Sequence, residues 1–337
     1  MTHPTQGQYR KKLLALAVLA PAMAITACSN DGSHRPGHED GEKSGVVYDG
    51  YLRGATVCVD VNINKVCDAD EPSTTTIEGG YYLLTGLSEA EELYPMAVEA
   101  KAGQTVDEDT GEAITEDIRY SAPASARVIS GFSTLIQAET ERLIAGGQTP
   151  EAAEANAKAQ LAADLGIPAN IDLNNFDAVA ESKANNSDSN VATQLRIVNQ
   201  VVTRHLNSAV RDAQGGSTDT SAVLMAAAAN VKAKTGAIKQ LVDTKLANTG
   251  VTGPDLDIEA LLAIVQETVA DATTKPAQVT AQAIADAQAA IREAQERIRE
   301  RIEEIIGEPQ QPPTGGTGGT GGTGGSGGGA GSGQGAV

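Results

Sequence analysis

The stretch "GVVYDGYLRGATVCVDV", Gly45 to Val61, sets the fold class of the amino-terminal half. It is made of short β-branched and aromatic runs broken by Gly and Asp. The pattern continues in "GGYYLLTGL" (Gly79 to Leu87) and "LYPMAVEA" (Leu93 to Ala100). Tyr48, Tyr51, Tyr81, Tyr82, Tyr94 and Tyr120 all fall in this region. Runs of this length, bounded by Gly, Asn, Asp and Pro, predict an antiparallel β-sandwich over residues 46–125, with about six or seven strands.

From Ser133 the pattern turns helical. "STLIQAETERLIAGG" opens on Ser and Thr and closes on Gly146, a start and a stop signal. In "TPEAAEANAKAQLAADLG", Thr149 reads as the N-cap, Pro150 as the first helical residue and Gly166 as the residue past the end. Val191, Leu195, Val198, Val202, Leu206 and Val210 recur at three- and four-residue steps and define one apolar helix face. Helical segments near 221–247 and 255–272 follow, and a last helix spans about 276–306. Its Ile291, Ile298 and Ile305 are seven apart, with Ile302 beside them. That spacing suits the last helix of a bundle, and a short coiled coil is the other reading. The chain is therefore expected to be an α+β multidomain protein with an all-α domain over residues 128–307. Beyond it, residues 308–337 are rich in Pro, then Gly, Thr and Ser. Such a tail has no apolar surface to bury and is expected to be disordered.

The amino terminus reads as an address. Arg10, Lys11 and Lys12 precede the apolar run "LLALAVLA" (Leu13 to Ala20), and small residues follow. This is the layout of a secretory signal, too short for an ordinary membrane span. "ITAC" (Ile25 to Cys28) resembles the lipobox of bacterial lipoproteins. The resemblance implies removal of residues 1–27 and lipidation of Cys28. Ser29 next to it resembles an outer-membrane sorting residue. A plain signal cut near Ala27 is the alternative. The cut removes three cations and no anions, so the net charge goes from −19 to −22. Residues 28–45 are polar and Gly-rich, the composition of a flexible tether.

"CVDVNINKVCDADEP" (Cys58 to Pro72) carries the candidate chemistry. With Cys28 lipidated, Cys58 and Cys67 are left as one pair in an oxidising compartment. A disulfide is the first reading. Two thiols on a soft metal are the other, and that site lacks further ligands. Counting Asp60 as position 1, Asn62, Asn64, Asp68 and Glu71 take positions 3, 5, 9 and 12, and Val66 offers its carbonyl at position 7. This follows the oxygen pattern of an EF-hand loop, since Ca²⁺ takes six to eight hard oxygens. Lys65 stands at position 6, where the pattern has Gly for a sharp turn, so only weak affinity is expected. A metal-free Asn/Asp turn is the alternative. The flanks read as strands rather than helices.

"DGYLRGATVCVDVNINKVCDADEPSTTTIEGGYYLLTGL" resembles the carboxypeptidase-regulatory-like and Cna-B (SdrD-B)-like β-sandwich modules of bacterial surface proteins. The likeness extends over about residues 45–177. It implies a structural or adhesive role without chemistry. By the same resemblance Cys58 and Cys67 replace apolar partners across the loop, which favours the disulfide. "DEDTGE" (Asp107 to Glu112) reads as a hairpin turn, with Asp107, Asp109 and Glu112 as possible extra oxygens for a cation.

The excess of acid, Asp+Glu 44 against Lys+Arg 25, argues against nucleic acid and anionic lipid surfaces as partners. His205 stands alone on its helix, and no nucleophile, zinc or phosphate-loop motif occurs. The expectation is a non-enzymatic envelope protein, held by lipid to the outer membrane on its periplasmic side or at the cell surface, with a protein or glycan partner in the surface case. A subunit of an envelope complex or filament is the alternative, and a carboxylate-dependent hydrolase a more distant one.

Overall fold

In a computed structural model of the chain, residues 41–307 are described, apart from 169, 185, 215–216 and 251–252. The signal segment (1–27), Cys28, the first part of the tether (28–40) and the Pro/Gly-rich tail (308–337) lie outside the described residues. Ten strands come first: β1 (Gly41–Val47), β2 (Leu52–Arg53), β3 (Thr56–Val59), β4 (Ser73–Thr75), β5 (Tyr81–Leu87), β6 (Met96–Ala100), β7 (Val106–Asp107), β8 (Glu112–Ala113), β9 (Ile118–Ala122) and β10 (Val128–Ile129). Eight helices follow: α1 (Gly131–Ala145), α2 (Pro150–Leu165), α3 (Ala178–Lys183), α4 (Ser189–Gln214), α5 (Thr220–Lys232), α6 (Thr235–Thr249), α7 (Ile258–Ala270) and α8 (Ala281–Ile306). The fold is α+β, with the strands amino-terminal and the helices carboxy-terminal. Its first strand opens at Gly41, inside the stretch read as tether.

The strands form a sheet in the order β10-β1-β5, a second in the order β4-β3-β6-β9, and a small third, β2-β7-β8. Alternation does the sorting in β5. Tyr82 and Leu84 turn inward while Tyr81 and Leu83 stay exposed, and a register shift near the strand's end turns Leu87 inward as well. Val47, Tyr82, Leu84 and Ile129 of the first sheet share a core with Val57, Val59, Met96, Val98 and Tyr120 of the second. The sequence pattern predicts antiparallel strands, and one pair departs from it. β10 pairs parallel to β1, with Val46 opposite Val128 and Val47 opposite Ile129. The chain crosses over after β9 so that β10 feeds straight into α1, and a crossover permits a parallel pair where a hairpin cannot.

Helix α1 starts two residues earlier than its sequence signal suggested. Ser130 is the N-cap residue, and its amide donates to Ser133 Oγ (2.9 Å). The helix is buried along most of its length, including the polar Ser133, Thr134, Gln137, Thr140 and Glu141. All but Thr140, whose Oγ1 has no partner, are hydrogen-bonded. Ser133 Oγ donates to Ser121 O (2.9 Å), and Thr134 Oγ1 accepts from Ser121 N (3.1 Å), which ties α1 to β9. Helix α2 has the caps its sequence announces: Thr149 accepts from Ala152 N, Pro150 is first, and Gly166 ends it at φ +60°. Along α4, Leu195, Val198, Val202 and Leu206 are buried, as their spacing requires. The segment near 221–247 is two helices, because Ala233 ends α5 and α6 begins anew at Thr235. Helix α3 was not foreseen, although Asp177 caps it through Val179 N and Ala180 N.

The helical core also takes in strand residues. Val46, Tyr48 and Val128 pack in one cluster with Phe132, Leu135, Val198 and Val202. In α8, Ile291, Ile298 and Ile302 are buried, while Ile305 is 50% exposed. No helix among the described residues is long and apolar enough to cross a membrane.

Candidate cation loop and buried polar clusters

Cys58 ends up on β3 and Cys67 on the loop after it, with their Cα atoms 5.6 Å apart and their sulfurs bonded. The bridge closes a loop in which Asp60 is the hub. Asp60 Oδ1 accepts from Asn64 N and Oδ2 from Lys65 N, both at 2.9 Å. Asn62 Oδ1 accepts from Asn64 N (3.0 Å), and Asn64 Oδ1 from Val66 N (2.8 Å). Asn62 Nδ2 and Asn64 Nδ2 both donate to Asp68 Oδ2 at 2.7 Å. Glu71 accepts from Val61 N (2.8 Å) through Oε1 and from Asp68 N (3.1 Å) through Oε2. Five side chains named from sequence spacing alone thus share one hydrogen-bonded ring.

That ring is short of positive charge. Burial pushes the Asp60 carboxyl up to about 7, partly offset by Lys65, and burial also raises Glu71. Asp68 is held by two amides instead of a cation. Lys65, the nearest ammonium, is turned away: its Nζ donates to both oxygens of Glu141 on α1, at 2.9 and 2.8 Å. Both side chains of this pair are fully buried. The hard-oxygen donor set suits Ca²⁺. No group of three or more His, Cys, Asp or Glu among the described residues is arranged to hold a metal ion.

The loop is also a wedge. Ile63 and Lys65 have positive φ, +57° and +59°. Side chains with a Cβ rarely adopt that conformation, and a β-branched one least of all. Tertiary contacts hold both there. Ile63 is 1% exposed and packs with Ile144, Ala153, Ala294, Ile298 and Ile302, which belong to α1, α2 and α8. Gln295 Nε2 on α8 donates to Asn62 O (2.7 Å). Sequence spacing identified the ring but not the wedge, because the partners lie some 80 to 230 residues further along the chain.

The second acidic turn is indeed a hairpin, β7 to β8, with Gly111 at φ +73°. Its Asp109 faces α4, while Glu108 accepts from Gly79 N. Asp109 is ion-paired with Arg196 and accepts from Gln200 Nε2 (3.1 Å), which also donates to Asp49 O (3.2 Å). A Cβ on Gly50 would stand 2.1 Å from Asp107 Oδ1, so the close approach of these two turns needs glycine there. Asp49 is buried, and burial, followed by the neighbouring Asp107, pushes its carboxyl up to about 7. Asp49 Oδ1, Arg196 Nε, Gln200 Oε1 and Arg204 Nε have no hydrogen-bond partner.

His205 is the only histidine among the described residues. It is buried on α4, and burial, then the Lys275 charge, lowers it to about 4. No family model matches this chain, and neither a curated protein nor a solved structure does.

Proposed function

We propose that this chain is a non-enzymatic, lipid-anchored protein of the bacterial outer membrane, with a structural, adhesive or partner-binding role. Its β layer acts as a sandwich-type module, similar to those of surface proteins, and its disulfide-closed loop takes up calcium. The observation that carries the reading is the Cys58–Cys67 bridge, which clamps a loop of hard-oxygen donors. Disulfides of this kind persist in oxidising compartments, in keeping with the signal sequence. The undercompensated carboxylates of Asp60 and Glu71 favour a divalent cation over a bare turn. Asp60, Asn62, Asn64, Asp68 and Glu71 supply side-chain oxygens and Val66 its carbonyl. A loop so heavily cross-bonded needs little ordering on binding, yet each Ca²⁺ contact displaces a hydrogen bond. Affinity on the order of 10⁻⁴–10⁻³ M is expected, the extracellular range.

Two experiments test this. Cys28→Ala should free the protein from the membrane fraction or block its processing. Unchanged membrane fractionation of this variant removes the lipid anchor from the proposal. The unlipidated protein should melt higher in Ca²⁺ than in chelator, by about 1.4 kcal/mol at ten times the dissociation constant. Asp60→Asn and Glu71→Gln should erase the difference. Identical melts of the parent in calcium and chelator leave the loop a disulfide-closed turn.

A further inference from the structure

The carboxy-terminal half of α4 presents His205, Ser208, Ala209, Asp212 and Ala213 on one face, at steps of three and four. Opposite stand the end of α7 and the connection from Lys275 to Val279 that leads to α8. Between them is a cavity of about 520 Å³, within the range of small-molecule sites. It lies apart from the cation loop, and no residue of that loop lines it.

The wall opposite α4 is held in place although it is neither helix nor strand. Thr274 Oγ1 donates to Thr268 O (2.7 Å) and to Asp271 O (2.9 Å). Asn230 Nδ2 on α5 donates to Ala277 O (3.1 Å) and Gln278 O (3.3 Å). The cavity is therefore preformed, which limits the ordering cost of binding.

Its polar groups are unspent. His205 is only 4% exposed, yet its Nε2 has no hydrogen-bond partner. A histidine that merely fills a core is normally satisfied, so an orphaned ring nitrogen calls for an explanation. The ring is neutral at ordinary pH and thus offers a dipole rather than a charge. Asp212 and Lys275 are exposed at the cavity and pair neither with each other nor with another described residue. Two opposite charges share one cavity without meeting. Ser208 and Gln278 add polar groups, and the rest of the lining is Ala, Val and Pro.

We propose that this cavity binds a free amino acid with an aliphatic side chain, its carboxylate on Lys275 and accepting from His205 Nε2, its ammonium on Asp212 and its body against Ala209, Val269 and Val279. Opposite free charges across an aliphatic floor are complementary to a zwitterion. A simple anion satisfies only Lys275 and faces repulsion from Asp212. The proposal depends neither on the lipid anchor nor on calcium.

L-leucine is the probe, titrated into the full chain with ¹³C-labelled histidine while the imidazole resonances are followed. His205→Gln assigns the His205 signal, and His34 and His38 serve as internal controls. L-leucine should move the His205 signal saturably and leave the other two in place. Lys275→Met and Asp212→Asn should each weaken binding about tenfold. Both positions are exposed, and unchanged melting of the variants will show that the fold is intact. Isovalerate, which lacks the ammonium, should bind at least tenfold more weakly than L-leucine. A His205 signal that L-leucine does not move, or isovalerate binding as tightly as L-leucine, overturns the proposal.

Discussion

Lys65 shows how a residue that weakens one reading of the sequence can be explained by another. At position 6 of the loop it occupies a left-handed conformation that favours glycine. The buried ion pair with Glu141 gives the lysine a reason to be there. Breaking such a pair from one side leaves a buried charge uncompensated, at a cost of about 3–5 kcal/mol, whereas replacing both partners with apolar groups of similar volume costs far less. Glu141→Leu should therefore lower stability in urea melts by about that amount, and Lys65→Met/Glu141→Leu should recover most of it. A double variant as unstable as the single one would show that the charges themselves are needed. Asp49 gives a pH prediction. Its folded pKa is about 7, above the ordinary 3.8, so between those values the folded state holds a proton that the unfolded state has lost. Stability from this group is present below the ordinary value and is lost as pH rises towards 7. Asp49→Asn should raise stability at pH 8, by on the order of 1–3 kcal/mol, and flatten the slope between pH 4 and 7. A steeper slope in the variant would assign the opposite sign.

Among the elements, the loop from Asp60 to Glu71 and helix α1 carry the organisation. The loop leaves β3, is closed by the disulfide and drives Ile63 between α1, α2 and α8. Most of its hydrogen bonds are local, while Asn62, Ile63 and Lys65 tie its strained backbone to the helices. Cys58→Ser/Cys67→Ser should lose about 2–3 kcal/mol, the effect of releasing so short a closed loop. It should also raise hydrogen exchange at the amides of Asn64, Lys65 and Val66, whose acceptors all lie within the loop. Unchanged exchange there would mean that the wedge alone keeps the ring in register. Helix α1 is positioned by polar groups as well as by its apolar Phe132, Leu135, Ile136 and Ile144, since Ser133 and Thr134 bond Ser121 and Glu141 bonds Lys65.

At the scale of the whole molecule, the strands and helices share cores instead of meeting at a linker. Val46 and Tyr48 pack with the helices, and Tyr120 Oη lies 2.9 Å from Thr203 Oγ1 on α4. The described residues from Gly41 onward fall in one compact unit. The tyrosines of the described region all lie in the strand half, and there is no tryptophan, so tyrosine near-ultraviolet signals report the β layer while ellipticity at 222 nm reports the helices. The two should change at the same urea concentration. Midpoints separated by more than about 0.5 M, a large gap given the usual urea dependence, would establish two independently folding domains.

What the sequence determined by itself was local. Periodicity placed the strand half and the long helices, the caps Thr149 and Gly166 fixed the ends of α2, and alternate oxygens picked out the Asp60–Glu71 ring, because each of these depends on neighbours within a turn or two. Tertiary structure decided the rest. It placed β10 parallel to β1, turned Lys65 from a defect in a cation loop into an anchor on α1, and aimed Asp109 at Arg196. It also buried His205 with an unpaired nitrogen beside a cavity walled by a connection some 70 residues further on. Burial and long-range pairing set these outcomes, and neither leaves a periodic trace in the chain.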